Sequence, residues 1–125
     1  MTYRRSKDLF GGTEKLVLGD YSVYVTVNFD DLGIAEVFCK VGKGGSDTQA
    51  AIAAISQLVC LVLQGASDRN EVITSLTRTL RGIEGKSQGF NRGVLIKSIP
   101  DAIGWALQGY PDNEGNKVEY VKGIK

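Results

Sequence analysis

Phe90-Asn91-Arg92 is the stretch of this sequence whose residue types most directly suggest chemistry. A flat ring, an amide and a guanidinium side by side suit a nucleotide. The ring stacks on a base, the amide reads a polar edge, and the arginine forks onto phosphate. Between Arg78 and Lys97 five cations (Arg78, Arg81, Lys86, Arg92 and Lys97) stand against one acid, Glu84, whereas residues 16–77 hold three cations and seven acids. The net charge of +1 therefore conceals a local positive excess, and Arg81 joins Phe90, Asn91 and Arg92 as a candidate ligand contact. A solvated loop with Phe90 tucked into the core accounts for the same residues, and the sequence alone does not choose between the two. A second candidate lies at Gly42-Lys43-Gly44-Gly45-Ser46, where unpaired amides at the start of a helix would favour an anion and Lys43 and Ser46 would add a charge and a hydroxyl. A plain strand-to-helix turn explains that pattern as well.

Catalytic combinations are missing. There is no histidine, which removes the usual base for nucleophilic catalysis and the commonest metal ligand. Cys39 and Cys60 are the two cysteines, too few for a closed zinc site. Both fall in apolar runs and are expected to be buried free thiols. Asp30-Asp31 reads as a solvated turn whose carboxylates point apart. No Walker A lysine and no nucleophile elbow occur. The chain is therefore expected to bind rather than to catalyse, with no cofactor and no metal.

The elements that must position these residues follow from periodicity. With 125 residues, 42% hydrophobic and 23% charged, the chain is expected to form a single ligand-binding domain over 1–125, with a polar tail from about residue 110. Glu14–Leu18 is a short strand candidate. Tyr21–Phe29 alternates, with Tyr21, Val23, Val25, Val27 and Phe29 on one side. Asp30-Asp31-Leu32-Gly33 is a hairpin turn. Ile34–Val41 alternates again, with Ala35, Val37, Cys39 and Val41 opposite Ile34, Glu36, Phe38 and Lys40. Ser46 or Asp47 is then expected to cap a helix that is apolar on nearly every side from Ala50 to Leu63 and thus central. Ser67 or Asp68 opens a second helix with a stripe of Val72, Ile73, Leu76 and Leu80. The polar, glycine-rich Arg81–Gly93 reads as a loop. Val94–Ile96 is a short apolar run, and Ser98-Ile99-Pro100-Asp101 opens a third helix. Val118–Val121 could add a strand. The predicted class is α+β, an antiparallel meander followed by helices packed on one face.

The apolar surface of Ala50–Leu63, with the second helix's stripe, exceeds what three strands and a short third helix can cover. A homodimer or larger closed assembly is therefore expected. The net charge gives no pull toward a nucleic-acid polymer or a membrane. The longest uninterrupted apolar run, Leu58–Leu63, is far short of a membrane span. The N-terminal residues lack the apolar stretch of a signal peptide, so a cytoplasmic location is expected.

Gly12-x-Glu14-Lys15, Tyr24-Val25-Thr26-Val27-Asn28, Glu36-Val37-Phe38, Gly42-Lys43-Gly44, the alanine-rich helix from Gln49, Leu80-Arg81-Gly82-Ile83 and Ile99-Pro100-Asp101-Ala102-Ile103 occur here in this order. Over roughly Arg4 to Gln108 the chain resembles the C-terminal domain of vitamin-B12-dependent ribonucleotide reductases. It departs where that module would carry cysteines, soon after Arg-Gly-Ile and just before Pro-Asp-Ala. Here those places hold Glu84-Gly85 and Ile99, so the module's metal or redox role is not expected. The reductase barrel is likewise not expected within these 125 residues. A free-standing, cysteine-stripped version resembles the phage anti-Thoeris sponge proteins. That resemblance implies binding of cyclic ADP-ribose isomers made by bacterial TIR-domain enzymes, without cleavage, so that the Thoeris effector stays inactive. It also implies cyclic oligonucleotides as further ligands, dimers or higher oligomers with ligand near subunit contacts, and the host cytoplasm as location. The alternatives are a stand-alone accessory or remnant of the reductase and a purely structural oligomer.

Overall fold

The computed structural model describes residues 10–42 and 45–118. Alternation builds its first layer. Strands β1 (Phe10–Leu18), β2 (Tyr21–Asp30) and β3 (Gly33–Val41) pair antiparallel in the order β1-β2-β3. The register sets Val23 opposite Val41, Val25 opposite Cys39 and Val27 opposite Val37, and these pairs form the buried face, as the alternation predicts. On the other face Thr13, Thr26 and Phe38 share one row, and Lys15, Tyr24 and Lys40 share the next. Ile34 and Glu36, expected on that wetter face, are buried. The register shifts between Asn28 and Phe29, and Asn28 donates to Glu36 at 3.2 Å.

Two further details of the meander differ from expectation. β1 starts at Phe10 rather than Glu14. Gly11 belongs inside the strand because a Cβ there would run into the Val27 carbonyl. The Asp30–Gly33 turn forms, but Asp30 is buried rather than solvated. Its carboxylate accepts the Leu32 amide at 2.8 Å and Arg69 at 2.6 Å, a pairing that a buried carboxylate requires.

Helix α1 (Ser46–Gly65) follows. Its N-cap is Gly45, and no side chain caps it, neither Ser46 nor Asp47. The helix is not central; it runs along the outer edge of β3. Gln49 donates to the Val41 carbonyl at 2.7 Å, Ser56 accepts from the Cys39 amide at 3.3 Å, and Cys60 donates to the Val37 carbonyl at 3.4 Å. Three side chains thus satisfy edge groups that would otherwise template pairing with another strand. Ile52, Val59 and Leu63 enter the core, while Leu58 and Leu61 remain 61% and 66% exposed. By length and composition this one helix could cross a membrane, although no uninterrupted apolar run in it is that long.

Helix α2 (Arg69–Leu80) is capped by Asp68, which accepts the Glu71 amide at 3.1 Å. Its Val72, Ile73, Leu76 and Leu80 stripe packs against the core, so it is not part of the apolar surplus. Strands β4 (Gly89–Asn91) and β5 (Val94–Ile96) form a hairpin where a loop was expected. Arg92 and Gly93 turn it with φ of 53° and 79°, both left-handed as a type I′ turn demands. Helix α3 (Ile99–Leu107) opens as predicted, with Ser98 accepting the Asp101 amide at 3.0 Å and Pro100 in the first turn. It lies on the inner face of β2 and β3, and α2 packs on it.

Trp105 and Tyr110 are fully buried, edge to face, with ring centroids 5.2 Å apart. The Tyr110 hydroxyl donates to the Val25 carbonyl at 2.7 Å and the Trp105 indole to the Pro111 carbonyl at 2.7 Å. The segment expected as a polar tail therefore begins with a core residue. Val118 donates to the Gly109 carbonyl, and the rest of the strand expected at Val118–Val121 lies outside the described residues. The fold is α+β, an antiparallel meander followed by helices.

Candidate functional site

The β4–β5 hairpin gathers three of the sequence candidates but gives them different tasks. Phe90 is 74% exposed, so it is not a core residue. The Asn91 side chain acts as a surrogate strand residue on the edge of β1: it accepts the Val17 amide at 3.1 Å and donates to the Val17 carbonyl at 3.3 Å. Arg92 reaches the other way. Its Nε donates to the Tyr110 carbonyl at 2.9 Å and its terminal nitrogen to the Asn116 carbonyl at 3.1 Å, with the Asp112 carboxylate at 3.9 Å. The Asn116 backbone amide is the main group holding the Asp112 carboxyl below its usual value. The edge of the guanidinium that would fork onto phosphate thus already grips two carbonyls.

Arg81 is likewise engaged. It donates to Asp101 at 2.7 Å, and that carboxylate also accepts the amides of Gly82 and Lys97, each at 2.8 Å. Asp101 is buried and ties the end of α2 to the start of α3. Ser46 is exposed at the N-terminus of α1, and Lys43 lies outside the described residues. Among the described candidates, Asn91, Arg92 and Arg81 thus spend polar groups on the chain itself.

A different set of side chains does converge. Between the outer face of the sheet and α1 lies a cleft of about 620 Å³, within the range of small-molecule sites. Tyr24 and Phe38 form its aromatic side and are 39% and 42% exposed. They stand in adjacent rows of β2 and β3, because Tyr24 pairs with Lys40 and Phe38 with Thr26. Lys40 supplies a cation, and Lys15 flanks Tyr24 from the other strand. Gln49, Ala53 and Gln57 of α1 form the opposite wall. Cys39 and Ser56 lie at the junction, where the edge bond joins them. Burial pushes the Cys39 thiol from 9.0 up to about 12, so at neutral pH it is a protonated, poorly nucleophilic wall group. The arrangement brings together stacking surfaces, amides and cations, groups whose chemistry suits a planar, anionic ligand.

Sequence reasoning placed Tyr24, Phe38 and Lys40 on the outer face without making them a site. The available signal was two aromatics on the polar side of neighbouring strands. What the sequence did not carry was the position of α1, which supplies the second wall.

A second cavity of about 500 Å³ lies between the starts of α1 and α3. Gly85 and Ile99 both line it, and the Gly85 amide donates to the Lys97 carbonyl at 2.8 Å. The two places where the reductase module would carry cysteines are thus neighbours in space, and here Ile52, Ile55, Ile99 and Pro100 make the wall apolar. Among the described residues no group of three or more His, Cys, Asp or Glu side chains is placed to hold a metal ion.

Fold and cleft define a small α+β module with a stacking cleft beside a closed sheet edge. Residues 1–111 match the TSCPD domain, and the chain belongs to the TSCPD domain family, a domain associated with B12-dependent ribonucleotide reductases. No curated protein and no solved structure matches it. Within the matched span Ser98, Pro100 and Asp101 form the cap, first turn and buried anchor of α3.

Proposed function

We propose that this chain binds and sequesters a signalling nucleotide, a cyclic ADP-ribose isomer or a related cyclic oligonucleotide, without cleaving it, and so denies a Thoeris effector its activator. The observation that supports this reading best is the cleft in which Tyr24, Phe38 and Lys40 face the Gln49–Gln57 wall of α1. A purine stacks against the aromatic pair, the lysines draw the pyrophosphate, and the glutamine amides read polar edges. A wall thiol held protonated and poorly nucleophilic by burial is in keeping with holding a ligand rather than cleaving it.

Native mass spectrometry after incubation with the product of a TIR-domain enzyme tests the reading. One ligand per cleft, released unchanged on denaturation, is the expected result. A spectrum without adduct at saturating product, or recovery of a hydrolysed ligand, contradicts it.

Family membership favours a second reading, an accessory domain that docks on a B12-dependent ribonucleotide reductase. Under that reading the purified chain alters the turnover of such an enzyme and takes up no cyclic nucleotide.

A further inference from the structure

We propose that α1 pairs antiparallel with α1 of a second copy, across a two-fold axis near Ser56, through the face made by Ala50, Ala51, Ala54, Leu58, Leu61 and Val62. All six residues are exposed, and at 3.6 residues per turn they fall within roughly a third of the helix circumference. The opposite face carries Ile52, Val59 and Leu63 into the core. No charged residue follows Asp47 anywhere in α1, so two copies of this face meet without an unpaired charge. An apolar, uncharged helix face of this length exceeds the scattered exposed side chains normal for a lone domain.

Orientation follows from a taper along the helix. Its N-terminal half exposes small residues, Ala50, Ala51 and Ala54, and its C-terminal half exposes large ones, Leu58, Leu61 and Val62. Antiparallel pairing about residue 56 sets Ala50 against the partner's Val62, Ala51 against the partner's Leu61, and Ala54 against the partner's Leu58. Each contact joins one small and one large side chain, so the helices stay evenly spaced and the interface fills. Parallel pairing would stack Leu58 on the partner's Leu58 and leave a gap between the alanines. A helix of 20 residues is about 30 Å long. Pairing two such faces buries on the order of 1,000 Å² in total, the lower bound of a specific interface.

A membrane is the competing occupant, and the fold argues against it. Gln49, Ser56 and Cys60 fasten α1 to β3, so it cannot span a bilayer without abandoning the sheet. Surface-lying helices carry Lys or Arg beside their apolar face, and α1 has neither. The inference holds whichever ligand the cleft takes.

Sedimentation equilibrium of the full chain at micromolar concentration tests it, with a mass of twice 13.5 kDa expected. Leu61→Lys, at an exposed position, should keep the circular dichroism of the wild type and weaken the dimer at least about 100-fold, because it puts an unpaired charge into an apolar seam. Mixing Ala54→Cys protein with Leu58→Cys protein under oxidation should link unlike chains, while each variant alone stays unlinked. A wild-type mass of one chain, a dimer that survives Leu61→Lys, or Ala54→Cys linking to itself overturns the proposal. So does a wild type that is monomeric in solution and floats with phosphatidylcholine–phosphatidylglycerol vesicles.

Discussion

Cys39 shows how far a single residue's chemistry depends on its surroundings. Its folded pKa, about 12, lies above the ordinary 9.0. The stability this contributes is fully present below about pH 9 and is lost as pH rises toward 12, because the unfolded chain ionises first. Wild-type melting temperature should therefore fall steeply above pH 9, and Cys39→Ala should flatten that limb; identical alkaline limbs would refute the assignment. Neutral-pH labelling with a disulfide reagent should spare both Cys39 and Cys60 until denaturant is added.

The hairpin residues make an opposed pair of predictions. Phe90→Ala, at a 74% exposed site, should change stability by less than about 0.5 kcal/mol, where a core phenylalanine would cost about 3–5 kcal/mol. Arg92→Ala, which frees the Tyr110 and Asn116 carbonyls, should cost about 1–3 kcal/mol. Urea unfolding of the two variants measures both. Residue types pointed to this stretch, but type alone could not reveal that Asn91 and Arg92 spend their polar groups on backbone distant in sequence.

Elements with a period were legible, and short or edge-on ones were not. The meander alternates cleanly, and the α2 and α3 starts are written in Asp68, Ser98 and Pro100. β4 and β5 have three residues each, too few for a period of two to register. β1 was read only from Glu14 because Gly11 and Gly12 carry no side chains to alternate, whereas Gly11 is there to let β2 approach. Asp101 is the element-scale anchor that packing explains and periodicity does not. Removing its carboxylate leaves Arg81 and the Gly82 and Lys97 amides without their acceptor. Asp101→Ala should cost about 2–4 kcal/mol, measured by denaturant titration. A cost below about 1 kcal/mol would show that the α2–α3 junction does not rest on it.

At the scale of the whole molecule, the sequence made clear that strands precede helices and that α1 is apolar on most of its sides, and Leu58 and Leu61 do remain exposed on it. It did not place α1 on the edge of β3, because the bonds that hold it there join Gln49, Ser56 and Cys60 to backbone groups of another element. That placement creates the cleft, so the candidate site became visible only in three dimensions. Tyr110 was missed for a related reason: it sits in a polar stretch, yet its ring closes the core against Trp105.

The central claim is that the Tyr24–Phe38–Lys40 cleft, rather than the Phe90 hairpin, holds a nucleotide. Isothermal titration of a cyclic ADP-ribose isomer into wild type, Tyr24→Ala, Phe38→Ala and Phe90→Ala proteins tests it most directly. Saturable binding by the wild type, weakened by about 1–3 kcal/mol in Tyr24→Ala or Phe38→Ala and unchanged in Phe90→Ala, is the predicted result. No saturable binding up to about 1 mM, or a loss of affinity confined to Phe90→Ala, would contradict it.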